Sequence, residues 1–188
     1  TIEPGVTVKF DDGNALQIQG TLVARGTSSD KITFTSSETS PAPGDWPNIQ
    51  FLSSSIDANF GGATSTPANY VSGSILEHVI IEYGGGVNGG AITIDSASPL
   101  INNITARNNL NVAIKLNAET NSLNLIENST FINNGPQGGG SGSKSGIWCT
   151  APGVSSTLYF GNNTVSYNSG IGIYIDSGCF GILENNTI

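Results

Sequence analysis

A short phrase of apolar residues, asparagine and threonine returns through most of the chain. Its frame is an apolar residue, any residue, Asn, any residue, and then Thr or Ile. Copies surround Asn103, Asn128, Asn162 and Asn185, and His78 takes the Asn place one copy earlier. Successive copies lie 25, 25, 34 and 23 residues apart. Self-similarity at such a period predicts a solenoid, in which each repeat packs only on its neighbours.

The periodicity inside each copy indicates which solenoid this is. Apolar and other residues alternate over short runs such as 92–94, 113–116 and 171–175, which is the pattern of β-strands. No run has the i, i+3, i+4, i+7 stripe of an amphipathic helix. The sequence therefore predicts an all-β, single-stranded parallel β-helix of roughly seven to eight coils. We expect one such domain over residues 1–188.

The recurring asparagines predict columns of stacked amides. An inward Asn at a bend between strands can bond the backbone, and it can also bond the Asn one coil away, at a spacing of about 4.8 Å. We predict one ladder along the repeat frame, formed by His78, Asn103, Asn128, Asn162 and Asn185. A second ladder is predicted at Asn109, Asn134 and Asn168. Four of the frame asparagines also match the N-glycosylation acceptor, and an inward side chain would leave them bare.

Charge and hydropathy exclude several classes of partner. The formal net charge is −8 and the pI is about 4.3, which disfavours nucleic acid and anionic membrane surfaces. No run of about 18 apolar residues exists, so we predict no membrane insertion. Both ends of the sequence stop within a repeat, which favours a fragment of a longer protein or a unit of an assembly. We also expect loop insertions at about 36–47, 53–74 and 135–145, on a face suited to binding.

Five segments resemble right-handed parallel β-helix repeat proteins of prokaryotic secreted and cell-surface chains, which share the pectate-lyase-like fold. They are Thr1–Phe10, Gly20–Thr27, Lys31–Ser36, Gly44–Pro47 and Leu76–Gly85. The resemblance implies a right-handed coil and a secreted or cell-surface location. It implies little about activity, because these repeats occur in adhesins, scaffolds and carbohydrate-active enzymes alike.

No catalytic constellation is visible in the sequence. A lyase of this fold needs clustered carboxylates and a basic residue, but Arg25 and Arg107 are the only arginines. His78 is the only histidine, so metal sites and triads built on histidine lack partners. Glu77, Glu127 and Glu184 share one place in the repeat frame, and we expect a solvated rim there. The sequence predicts no cofactor and no metal.

Two other groups of residues carry predictions. Cys149 and Cys179 fall in neighbouring coils and are predicted to form a disulfide, with buried free thiols as the alternative. Aromatic residues near loops or on alternating positions could form a platform on which sugars stack, although packing explains each of them equally well. The predicted glycan contacts are Trp46, Tyr70, Tyr83 and Trp148, with Phe60 and Tyr174 as further aromatics.

Three functions remain open from the sequence. The favoured one is a non-enzymatic structural or adhesive rod that associates end to end through its open coils. The second is a glycan-binding module that uses the loops at 53–74 and 135–145. The third is a polysaccharide lyase or glycoside hydrolase whose site is not recognisable in the sequence. The expected partners are therefore other copies of the chain or a polysaccharide.

Overall fold

The computed structural model describes residues 1–62, 64–86, 89–119, 122–135 and 144–188. Within these residues the chain forms three parallel sheets of six strands each. Each coil contributes one strand to the second sheet, then one to the third sheet, then one to the first. The predicted all-β parallel β-helix is confirmed.

Strand bounds follow the short alternating runs of the sequence. The first sheet contains β1 (Thr7–Phe10), β4 (Ile32–Ser36), β9 (Val79–Glu82), β12 (Thr105–Arg107), β15 (Thr130–Ile132) and β18 (Thr164–Ser166). The second contains β2 (Leu16–Ile18), β5 (Ile49–Phe51), β10 (Gly90–Asp95), β13 (Val112–Asn117), β16 (Lys144–Thr150) and β19 (Ile171–Ile175). The third contains β3 (Val23–Arg25), β8 (Ile75–Glu77), β11 (Leu100–Asn102), β14 (Leu123–Glu127), β17 (Ser156–Gly161) and β20 (Cys179–Glu184).

The interior is a column of apolar side chains from all three sheets. Alternation directs every second side chain inward, as Ile32 and Phe34 do on β4, where both are fully buried. Strands in register stack these side chains on their counterparts in the next coil. Side chains from different sheets also meet in the interior, as Phe131 of β15 and Phe160 of β17 do, with ring centres 5.9 Å apart. The core therefore runs along the helix axis, and the outward side chains form straight columns.

Two of the three predicted insertions have definite structure. The stretch 53–74 carries the antiparallel pair β6 (Asn59–Phe60) and β7 (Tyr70–Ser72), with a 3-10 helix at Pro67–Asn69 between them. The stretch 36–47 leads to Trp46, which is fully buried. Of the predicted loop 135–145, residues 136–143 lie outside the described residues, and positions 144–145 already belong to β16.

Asn109, Asn134 and Asn168 form a hydrogen-bonded ladder between the first and second sheets. Asn109 Nδ2 donates to Asn134 Oδ1 over 2.8 Å, and Asn134 Nδ2 donates to Asn168 Oδ1 over 3.1 Å. Asn134 Nδ2 also donates to the Ala106 carbonyl at 3.0 Å. Asn109 and Asn134 are essentially inaccessible to solvent. Each side-chain amide thus bonds the amide of the next coil and also backbone groups that have no partner within the bend.

The other predicted ladder, at His78, Asn103, Asn128, Asn162 and Asn185, is wrong. All five residues have a left-handed backbone, with φ between 51° and 55°. Asn128, Asn162 and Asn185 are exposed, while His78 and Asn103 are half-buried. Asparagine recurs there because it tolerates the left-handed region better than most residues. The sequon asparagines therefore do not point inward, and that reason for expecting them to be bare does not hold.

The inward column lies one residue further along the chain. The Ser129 amide donates to Asn163 Oδ1 and the Asn163 amide donates to Asn186 Oδ1, each over 2.8 Å. Asn163 Nδ2 donates in turn to the Ile126 carbonyl at 3.0 Å. The predicted interaction exists at this corner, but it uses the residue after each repeat asparagine.

Replacing Asn134 with alanine should lower the free energy of unfolding by about 3 kcal/mol. The substitution leaves the Asn109 side chain, the Asn109 amide and the Ala106 carbonyl short of partners inside the protein, and each such group costs about 1–3 kcal/mol. The matched control is Asn133→Gly at the preceding position, where φ is 56° and the side chain is exposed. Urea unfolding should show almost no change for the control. Equal losses in both variants would contradict an energetic role for the ladder.

Candidate functional site

An outward column on the second sheet ends in two aromatic residues. Strand register aligns six side chains, which we call the second-sheet column: Gln17, Gln50, Thr93, Lys115, Trp148 and Tyr174. The ring centres of Trp148 and Tyr174 lie 6.5 Å apart at 68°. Lys115 Nζ lies 4.7 Å from the centre of the Trp148 ring. An ammonium and two rings on three consecutive coils make a surface that is both apolar and polar.

Hydrogen bonds order the polar half of this face. Gln17 Nε2 donates to Gln50 Oε1 at 3.0 Å, and Gln50 Nε2 donates to Asp95 Oδ2 at 2.8 Å. The other carboxylate oxygen of Asp95 accepts from Asn117 Nδ2. Because Asp95 and Asn117 occupy equal places on β10 and β13, the network runs beside the second-sheet column. Amides and a carboxylate held in this way are groups that recognise hydroxyls.

The outer face of the third sheet carries a polar column, formed by Arg25, Glu77, Asn102, Glu127, Gly161 and Glu184. Its first members are paired. Arg25 Nε donates to Glu77 Oε2 and Asn102 Nδ2 donates to Glu77 Oε1, both at 2.8 Å. Asn128 Nδ2 then donates to Asn102 Oδ1 at 2.9 Å. The Glu77 end of the column is therefore neutralised by its own neighbours.

Glu127 contradicts the expectation of a solvated rim. Its side chain is buried, with 8% exposure, and its Oε2 has no hydrogen-bond partner among the described residues. Burial raises the pKa of the Glu127 carboxyl, and the negative charge of Glu184 raises it further. Tyr159 lies between them and donates from its hydroxyl to Glu184 Oε2 at 2.7 Å. This hydrogen bond is the main reason that the pKa of Tyr159 is also raised.

The insertion at 53–74 covers part of the same face. Ala58, Phe60 and Tyr70 pack on an apolar outer patch of the third sheet, made of Ile75, Leu100 and Leu125. The insertion thus packs on the outer face of the third sheet and covers it at β8, β11 and β14. Beyond it lies an open groove of about 340 Å³, lined by Ser122, Leu123, Ser155, Ser156, Thr157 and Phe180.

The four predicted glycan contacts do not form one platform. Trp46 is in the core, where its ring stacks on Phe10 with centres 4.4 Å apart, so the prediction for Trp46 is wrong. Tyr70 belongs to the insertion, and its hydroxyl donates to the Gly73 carbonyl at 2.7 Å. Tyr83 is a half-buried corner residue with φ of 62°. Only Trp148 lies on an outward sheet face.

Sequence reasoning missed Lys115, Tyr159 and the burial of Glu127. The alternation of residues 113–116 already indicates that the Lys115 side chain points outward. Its alignment with Trp148 was hidden, because the two residues lie 33 positions apart in the sequence and the repeat spacing there is irregular.

The predicted disulfide pair is joined in the structure. Cys149 on β16 bonds Cys179 at the start of β20, with Cα atoms 6.2 Å apart. Cys149 is fully buried and Cys179 packs against the same core.

Neither a metal cluster nor a membrane span is found within the described part of the chain. No three His, Cys, Asp or Glu side chains there are grouped to hold a metal ion. No helix among those residues is long and apolar enough to cross a bilayer.

Comparison with known proteins gives one match. The model of a family described as "right handed beta helix region" matches residues 27–188. No curated protein and no solved structure matches the chain.

Proposed function

This chain belongs to the right-handed β-helix family, and we propose that it is a non-enzymatic, adhesive rod that binds a polysaccharide along the second-sheet column. The protein would be secreted or displayed at the cell surface. The observation that carries the proposal is the alignment of Lys115, Trp148 and Tyr174 on consecutive coils.

Aromatic side chains suit sugars because the apolar face of a pyranose ring packs on a π surface while its hydroxyls bond nearby polar groups. Coils repeat about every 4.8 Å, close to the length of one sugar unit in an extended polysaccharide. Trp148 and Tyr174 would therefore meet successive sugars. Lys115 and the Asp95–Asn117 network would bond the hydroxyls of the same chain.

The charge of the protein indicates whether the polysaccharide is neutral or charged. The chain has a net charge of −8, which disfavours polyanionic glycans at low ionic strength. On the second-sheet column, Lys115 is one cation beside one carboxylate, Asp95. This near balance favours a neutral polysaccharide. The disulfide between Cys149 and Cys179 supports an oxidising, extracytoplasmic location.

Trp148→Ala should weaken binding to the preferred neutral glycan about tenfold or more. Loss of one stacking contact of about 1.4 kcal/mol corresponds to that factor. A glycan array selects the ligand, and calorimetry with a soluble oligosaccharide then gives Kd for each variant. The matched control is Tyr167→Asn, which removes an aromatic ring that is 83% exposed at a corner where other coils carry Asn. Equal losses in both variants would contradict the assigned surface.

Self-association is a second part of the proposal, and the last coil supports it. Leu183 is 43% exposed and Ile188 is 70% exposed. Strands β19 and β20 pair on one side only within the described residues, as do β1 and β2 at the other end, whereas β18 is bridged further by Thr187 and β3 by Ile2. Unpaired parallel edges beside apolar side chains favour stacking of one copy on the next.

The chain of residues 1–188 should show a mass that rises with concentration in light scattering. Leu183→Lys should abolish this rise, because a charge would then face the apolar end of the next copy. Val71→Lys, on a side chain that is 63% exposed away from the coil ends, should leave it unchanged. A monomeric mass at every concentration would contradict the stacking.

A further inference from the structure

A buried and unpartnered carboxylate on the third sheet points to a second site, independent of the second-sheet column. Glu127 is 8% exposed, and its Oε2 meets no hydrogen-bond donor among the described residues. A buried carboxylate oxygen without a donor is costly, so proteins rarely keep one without a use. Its neighbours in the polar column, Asn102 and Glu77, already bond each other and Arg25.

One oxygen of the Glu127 carboxylate, Oε1, is directed along the column toward Gly161, and the unpartnered oxygen is Oε2. Oε1 would lie 3.3 Å from a Cβ placed on Gly161, the residue between the two glutamates in the column. That same Cβ would lie 2.8 Å from the Tyr159 ring, so a larger residue at position 161 would displace the ring from this place. The Tyr159 hydroxyl reaches Glu184 from there. Tyr159 thus lies between the two glutamates, with its hydroxyl on Glu184 and its ring beside the Glu127 carboxyl, and the negative charge of Glu184 acts on Glu127.

We propose that Glu127, Glu184 and Tyr159 bind the primary ammonium group of an unacetylated amino sugar. An ammonium has three N–H donors, which match the two carboxylates and the lone pairs of the phenol oxygen. The face of the Tyr159 ring also attracts a cation. A divalent ion fits less well: Ca²⁺ takes about six to eight oxygen ligands, and no group of three acidic side chains is available among the described residues.

The rest of this face suits the sugar that carries the amine. On β20, Phe180 and Ile182 point outward ahead of Glu184 and are 63% and 45% exposed. Phe180 also lines the groove, together with Ser156 and Thr157. A rise of about 3.3 Å per residue places Phe180 roughly 13 Å from Glu184, which two or three sugar units can span. The amine of the first sugar would lie at the two glutamates, and the following sugars would lie along the strand toward Phe180.

Calorimetry with a glucosamine trisaccharide and with its N-acetylated counterpart tests the site. The unacetylated sugar should bind at neutral pH, and the acetylated one at least tenfold more weakly, because an amide carries no charge. Glu127→Gln should weaken binding of the amine at least tenfold. Glu38→Gln, the same change on an exposed side chain far from the site, should leave Kd within twofold. Tyr159→Phe, which removes only one hydroxyl, should cause a smaller loss.

The pH dependence gives a second readout. Because the pKa of Glu127 is raised, the carboxyl takes up a proton at a higher pH than an ordinary glutamate. Affinity for the amine should therefore fall as the pH drops through that raised pKa, and Glu127→Gln should flatten the profile. Equal binding of both sugars, or an unchanged Kd in Glu127→Gln, would overturn the proposal. Binding of CaCl₂ that depends on Glu127, with no binding of the amine, would also overturn it.

Discussion

Trp46→Ala should lower the free energy of unfolding by about 4 kcal/mol, within the range for deleting a large buried aromatic side chain. Trp46 has no exposed surface and stacks on Phe10 with ring centres 4.4 Å apart. Its Nε1 donates to the Glu82 carbonyl at 3.0 Å. The substitution would therefore leave a cavity and an unpaired carbonyl in the early coils. Urea unfolding followed by far-UV circular dichroism measures the loss.

Trp148→Ala is the matched control, since it deletes the same side chain from the surface of the second sheet. We expect it to cost less than about 1.5 kcal/mol, because it leaves no cavity in the core. Comparable losses for the two tryptophans would contradict their assignment to core and surface.

Removing the disulfide should cost about 3.5 kcal/mol. The bond closes a loop with a sequence separation of 30 residues, and chain entropy predicts a loss of this size for such a loop. The double variant Cys149→Ala, Cys179→Ala avoids placing a polar group where Cys149 is buried. Urea unfolding of this variant should show the full loss.

Reduction of the unchanged chain provides the control for the disulfide. Dithiothreitol should lower the stability of the native protein toward that of the double variant, and it should leave the double variant unaffected. A loss below about 1 kcal/mol in both experiments would show that the last coils are held by packing alone.

The sequence predicted the architecture because repeat length and strand alternation both follow from how a coil closes. It also predicted the Asn109–Asn134–Asn168 column in the correct register. The error at the other corner has a physical cause. In the pairs Asn162–Asn163 and Asn185–Asn186, the first residue has the left-handed backbone and the second provides the ladder oxygen.

The repeated asparagine therefore indicates a position where the backbone must be left-handed, and it does not indicate an inward side chain that bonds the next coil. Asparagine recurs most regularly where φ must be positive, whereas the inward place accepts serine at position 129 and isoleucine at position 104. The residue that follows the repeat asparagine differs more from coil to coil, yet it is the one that points inward. Pairs of consecutive asparagines would have predicted the ladder better, since the first residue adopts the left-handed backbone and the second provides the inward side chain.

The candidate sites were harder to predict because their residues meet across coils with unequal spacing. Tyr159 reaches Glu184 over 25 positions, but Lys115 and Trp148 are separated by 33, across the insertion. Glu127 Oε1 and the Tyr159 ring both lie beside Gly161, in a place that a side chain at that position would enter, and the sequence does not show this proximity. Trp46 was misassigned for a similar reason: its partners Phe10 and Glu82 belong to other coils.

The most direct test of the proposed function uses the two indole N–H signals of the protein in an ¹⁵N NMR titration with the neutral oligosaccharide chosen on the array. The chain has two tryptophans, one in the core and one on the second-sheet column. We predict that the Trp148 signal shifts progressively with ligand while the Trp46 signal stays in place. A Trp148 signal that does not move while the oligosaccharide binds would contradict the account.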